Sequence, residues 1–136
     1  MKDIKPNKIS EIVSTRCFHT FLVEGIYCVS VVKENSEINL QDALENTEAV
    51  KSVSEGKRYP MLVDTREIKS INKEARDHFS MRNRKGGVNA IAVLIGSPVS
   101  VMVGNFFMGL NKPAVPTKLF TKPDKAFTWL KQFSEE

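Results

Sequence analysis

Residues 88–110 carry no charge at all, and the run is interrupted near its middle by Gly96-Ser97-Pro98. A stretch of this length could cross a bilayer as one helix, which needs about 20 apolar residues. The interruption argues for another arrangement. Residues 90–95 are apolar on both faces, the pattern of a strand covered by helices on each side. Ser97 followed by Pro98 then reads as a helix start. The serine hydroxyl can accept from an unpaired first-turn N–H, and the proline's missing N–H costs nothing at the first helical position. Three glycines, Ser100 and Asn105 further break the apolar run. The mean hydropathy of the whole chain is −0.24. The run is therefore read as a buried strand, a turn and an unusually apolar helix, with no transmembrane segment.

Helical spacing puts Val99, Met102, Val103, Phe106 and Leu110 on one inward stripe. Val101, Phe107 and Met108 fall outside it and would leave an apolar surface unless something covers them. These three are the candidate interface, for a protein partner or for a homodimer.

The rest of the chain supplies what gathers round that helix. At 136 residues it is long enough for one domain with a proper core. Residues 1–14 form a polar N-terminal arm dotted with Ile4, Ile9, Ile12 and Val13, and residues 15–136 form the single domain. Residues 16–24 and 26–33 are two β-rich runs joined at Glu24-Gly25, a hairpin signal. A two-residue turn there would set Cys17 opposite Val32 and Cys28 opposite Phe21, too far apart for a disulfide. Two packed thiols suit a reducing compartment. Residues 1–7 are polar and lead into no signal segment, so a cytoplasmic protein is expected.

Residues 34–38 read as a polar loop. Asn39 caps a helix over 40–54, with Asp42 in its first turn, Gly56 past its end, and Ala43, Leu44, Val50 and Val53 as its apolar face. A strand at 59–64 follows, then a helix over about 72–83 with Ala75 and Phe79 inward. After the uncharged run come a strand at 116–120 and a last helix from Pro123. That helix carries Ala126, Phe127, Leu130 and Phe133 inward and Trp129 on its flank. The order β-β-α-β-α-β-α-β-α predicts an α/β fold with a mixed, mostly parallel sheet and helices packed on it.

In such sheets ligands bind off the carboxyl ends of the strands, beside helix N-termini. Here that crevice is expected to hold Asp64, Thr65 and Arg66, Gly96 and Ser97, and Thr121 and Lys122. A small amphiphilic anion or lipid could use the Ser97 helix start, with Arg66 and Lys112 assisting and the apolar helix taking a tail. The net charge of +4 is mostly scattered. Its one concentration, Arg76, Arg82, Arg84 and Lys85, lacks the interleaved aromatics that nucleic-acid binding wants, so no nucleic acid is expected.

The segment YPMLVDTREIKSINKEAR and the order of elements resemble a STAS domain, the fold of bacterial anti-anti-sigma factors. GSPVSVMVGNFFMGLNKP, with PTKLFT and AFTWL, resembles a group of small bacterial STAS-like proteins related to STAS and CRAL-TRIO domains, over about residues 15–133. The resemblance implies a non-enzymatic protein-interaction or regulatory module. Anti-anti-sigma factors carry an Asp-Ser-Ser-Gly type motif with a phosphorylatable serine at the helix after the third strand. Asn72, Lys73, Glu74 and Ala75 stand at those positions, so the serine switch is absent, and Ser70 upstream reads as an ordinary turn serine. His19 and His78 lie far apart in sequence. No metal motif, phosphate loop or nucleophile elbow is present, and no cofactor is expected. Asp64 with Arg66 reads as an ion pair that ties down a loop.

Overall fold

The computed structural model describes residues 9–84, 88–109 and 115–134, with the backbone alone at 81–84. In chain order the strands are β1 (Val13–Ser14), β2 (Phe18–Val23), β3 (Tyr27–Val32), β4 (Ser36–Ile38), β5 (Tyr59–Asp64), β6 (Ile68–Ile71), β7 (Val88–Leu94) and β8 (Thr117–Phe120). The helices are α1 (Leu40–Ser54), α2 (Lys73–Arg84), α3 (Pro98–Met108) and α4 (Pro123–Lys131). A six-stranded sheet runs β1-β2-β3-β5-β7-β8. Its first two pairings are antiparallel and the β3-β5, β5-β7 and β7-β8 pairings are parallel. This is the mixed, mostly parallel α/β sheet that the sequence predicts.

Alternation along the strands divides the core. Leu62, Ala90, Ala92 and Leu94 pack with Ala126 and Leu130 of α4. Their neighbours Met61, Ile91 and Val93 face the other way and pack with Val50 of α1. A strand that buries both faces has no polar side to give, which is why β3 apart from Ser30, and β7 from Ala90 on, read as apolar runs. Among the described residues no helix is long and apolar enough to cross a membrane.

Helix starts follow their local chemistry. Asn39 Oδ1 accepts the Asp42 N–H at 2.9 Å and Asp42 Oδ2 accepts the Asn39 N–H at 2.9 Å, a closed capping box. Glu55 at φ 49° and Gly56 at φ 82° end that helix in the left-handed region. Ser97 and Ser100 make the same reciprocal box at α3 behind Pro98.

Four expectations need correction. The hairpin turn takes three residues: Val23 pairs with Tyr27 and Phe18 with Val32, because Ile26 is left over after the Glu24-Gly25 turn, where both φ angles are positive. The register is thus shifted by one, and Phe21 faces Val29 and not Cys28; both cysteines are free and buried. Residues 34–38 are not simply a loop, since β4 pairs in parallel with β6 in a second, two-stranded sheet. Both strands are short and polar, and only mutual pairing with buried Ile38 and Ile68 makes them visible. Leu44 is exposed, while Asn46 and Thr47 of α1 are buried in its place.

The last correction concerns α3. Met102 is 70% exposed, and Phe107 packs half-buried against Phe18, Val32 and Val103. The inward stripe is Ser100, Val103, Gly104 and Phe107, at i, i+3, i+4 and i+7. Gly104 sets it, because a Cβ there would lie 3.0 Å from Leu119 Cδ2 and 3.2 Å from Ile95 Cγ2. Leu110, Lys112 and the side chains of Arg82, Arg84 and Lys85 lie outside the described residues.

The Asp42 carboxyl also receives Arg16 Nε at 2.9 Å. Burial works against its charge, but the bonds from Arg16 and the Asn39 N–H outweigh that cost, and its pKa lies below the ordinary aspartate value. A carboxyl whose pKa falls on folding contributes stability above its unfolded pKa of about 3.9. That contribution disappears as the pH drops through the folded value. Asn39→Ala is expected to cost about 1 kcal/mol in urea unfolding at pH 7. Asp42→Asn should destabilise at pH 7, and its deficit against the wild type should shrink when the titration is repeated near pH 3.

Candidate functional site

β5 ends at Asp64, and the chain turns at once through Thr65 and Arg66. The Arg66 guanidinium grips Asp64 with both oxygens, Nε to Oδ1 at 3.0 Å and Nη2 to Oδ2 at 2.8 Å. The Arg66 N–H also donates to Asp64 Oδ1 at 3.1 Å. Their side chains are only 12% and 4% exposed, so this is a buried bidentate pair. Thr65 reaches across to the end of β7, where its N–H and hydroxyl both donate to the Leu94 carbonyl at 3.0 and 2.8 Å. Gly96 lies under the Arg66 side chain, and a Cβ there would stand 3.1 Å from Arg66 Cγ.

The structure therefore brings Asp64, Thr65, Arg66, Gly96 and Ser97 to one place. Thr121 and Lys122 follow β8 on the exposed surface. The groups gathered there are largely engaged with one another. Ser100 Oγ accepts the N–H groups of Gly96 and Ser97 at 2.8 and 2.7 Å, and Ser97 Oγ accepts the Ser100 N–H at 3.1 Å.

Beneath α3 the packing is less complete. Val103 and Phe107 of α3, Phe79 of α2, Asn46 of α1, and Ile91 and Val93 of the sheet line a partly open pocket of about 90 Å³. Among the described residues no charged side chain lines it. The sequence shows the apolar helix but not this void. Two buried polar residues of α1 face this region. Asn46 Oδ1 accepts from the Thr20 and Ser30 hydroxyls at 3.0 and 3.1 Å, and those two residues are a directly paired cross-strand couple on β2 and β3. Thr47 Oγ1 lies 2.7 Å from His78 Nε2, tying α2 to α1.

His19 lies elsewhere, with Nδ1 2.8 Å from Ser14 Oγ on β1. Burial, then the Lys33 charge, pulls its pKa below the usual histidine value. The two histidines thus occupy separate structural contacts. Among the described residues no group of three or more His, Cys, Asp or Glu side chains could hold a metal ion. At the start of α2, Asn72 Oδ1 accepts the Ala75 N–H at 2.9 Å and Lys73 Nζ meets Asp77 Oδ2 at 2.8 Å. Ser70 is exposed on β6.

On the outer side of α3, Val101, Met102 and Met108 are exposed. Arg76 of α2 stacks over the Phe106 ring at 5.1 Å and covers the neighbouring flank. Of the three candidate interface residues, Val101 and Met108 keep an outward position, and Phe107 belongs to the cavity wall.

Solved structures that share this architecture include these two. One is a protein of the DUF3478 family with a SpoIIAA-like fold from Shewanella loihica PV-4, at TM-score 0.56 and 16% identity over 93% of this chain and 98% of that one. The other is the anti-sigma factor antagonist SpoIIAA in its unphosphorylated form, at TM-score 0.58 and 13% identity over 84% of this chain and 97% of that one. At such identities the likeness establishes a SpoIIAA-like, STAS-like fold. No curated protein matches the chain. The model of the family described as Domain of unknown function (DUF7793) matches residues 20–134, and the chain belongs to that family.

Proposed function

We propose that this chain is a non-enzymatic regulatory module that works by docking a protein through the outer face of α3. The observation that carries this reading is α3 itself. Its 11 residues include no charge, and Val101, Met102 and Met108 stand in solvent. A surface helix of a monomer ordinarily presents charged or polar groups outward. Exposed apolar side chains grouped on one helix mark an interaction surface. Support comes from the neighbour described as an anti-sigma factor antagonist, a protein whose work is done on another protein.

The docking is not switched by phosphate at the start of α2. Asn72 is committed to capping that helix, Lys73 to Asp77, and a phosphate there would meet Glu74 with like charge. The first partner to test is a second copy of the chain, in the cytoplasm. Light scattering on the wild type is expected to give a dimer mass, and Met102→Glu with Met108→Glu, both at exposed positions, should return it to monomer. An unchanged mass together with unchanged recovery of any bound protein would remove α3 from the interface.

The Asp64–Arg66 pair is assigned to the scaffold. Asp64→Leu should cost about 3 kcal/mol, because it takes the bidentate carboxylate from a buried guanidinium, and adding Arg66→Met should restore most of the loss. Urea titration of the two variants reads this directly. Full stability in the single variant, with loss of partner binding, would mark the pair as part of the site instead.

A further inference from the structure

We propose that the partner docked on α3 is an acidic amphipathic helix, with apolar side chains on Val101, Met102 and Met108 and a carboxylate on Arg76. It rests on the docking reading of α3 and adds the chemistry of the occupant.

The first observation is an unmatched cation. Arg76 is half-buried on α2, with its guanidinium 5.1 Å from the Phe106 ring centroid. Nη1 donates to the Ile71 carbonyl at 2.9 Å. Nε is buried and has no acceptor among the described residues. No carboxylate of the described residues makes an ion pair with Arg76. Of the 16 acidic residues in the chain, only Asp3, Glu135 and Glu136 lie outside the described part. A guanidinium keeps its charge at any ordinary pH. Burial of Nε without an acceptor removes part of its hydration, which strengthens its pull on a carboxylate at the donors that still reach solvent.

The second is where that cation stands. Phe106 follows Met102 by one turn, so the two are neighbours on the surface of α3. Arg76 therefore borders the exposed row at Met102, which is 70% exposed. The third is the shape of the row. Val101, Asn105 and Met108 are exposed at i, i+4 and i+7, a stripe along a helix of 11 residues, about 16 Å long. Another helix laid along it matches such a stripe, and the unbranched methionines adapt to its side chains. A second copy packed α3 on α3 would cover the row but bring no charge from that helix. An acidic helix covers the row and meets Arg76, so it should displace the copy.

The test uses the whole chain and two fluorescently labelled helical peptides of about four turns. Both carry leucines at i, i+4, i+7 and i+11, flanked by glutamates in one peptide and by glutamines in its twin. By anisotropy at low salt, the glutamate peptide should bind about tenfold more tightly, the effect of one charge-assisted bond. Added salt should shrink that advantage. Arg76→Met keeps an unbranched chain over Phe106 and should bring the two peptides to equal affinity. If that variant does not fold, the wild-type comparison and its salt dependence decide alone. Equal affinity on the wild type would overturn this inference and leave the docking reading standing. A chain that stays dimeric and takes neither peptide would give the row to a second copy. One that takes neither and sediments with phosphatidylglycerol vesicles would give it to a lipid surface. Either result would overturn the proposal, and a monomer that binds neither peptide nor vesicle would remove the docking reading with it.

Discussion

At Gly104 the α3 backbone comes so close to the sheet that even a methyl group would stand 3.0 Å from Leu119 and 3.2 Å from Ile95. This close approach favours one rotation of a helix whose composition leaves that rotation open. With Gly104 against the sheet, Ser100 and Val103 must follow it inward, and Phe107 closes the same stripe one turn later. Met102 is then turned out, whatever its hydropathy. The reciprocal capping by Ser97 and Ser100 anchors the helix start at the end of β7. Pro98 sets the backbone angle with which it leaves. The apolar outer row and the cavity wall are therefore two consequences of one close approach.

The face opposite α4 is held by a second constraint, the buried knot of Thr20, Ser30 and Asn46. Each of these polar groups would be expensive alone, and together they satisfy one another across two strands and a helix. The knot places Asn46, rather than a leucine, at the centre of the inner face of α1, and turns Leu40 and Leu44 to the outside.

How much of this was legible beforehand depended on the range of the interaction concerned. Helix starts were readable, since Asn39 with Asp42 and Ser97 before Pro98 write their caps within four residues. The bounds of β5 and the apolar character of β7 were readable for the same reason. The hairpin register was not, because Glu24-Gly25 announces a turn but not whether Ile26 joins the strand, and one residue moves every pairing. β4 and β6 were missed because Ser36-Glu37-Ile38 looks like a loop until Ile68–Ile71 lies beside it. Phe107 and Met102 were exchanged because a stripe of apolar residues is no guide where every face is apolar. The small residues of α3, not the large ones, carried the information. Of the candidate site, sequence order was enough to bring Asp64, Thr65, Arg66, Gly96 and Ser97 to the strand ends. It could not show that they would be occupied with each other, which takes distances.

That mutual engagement bears on where chemistry can happen in this fold. At the strand ends, the charge of Arg66 is matched by Asp64, and the first amides of α3 are met by Ser97 and Ser100. Among the described residues the polar groups of Asp64, Arg66, Ser97 and Ser100 are engaged with one another, so an anion arriving there would have to displace bonds already made. Beneath α3 the packing leaves a pocket of about 90 Å³ with a mostly apolar wall among the described residues. One uncharged helix supplies both the roof of that space and the exposed row of Val101, Met102 and Met108. A charge on the inner face of α3 would lose its hydration against that apolar wall.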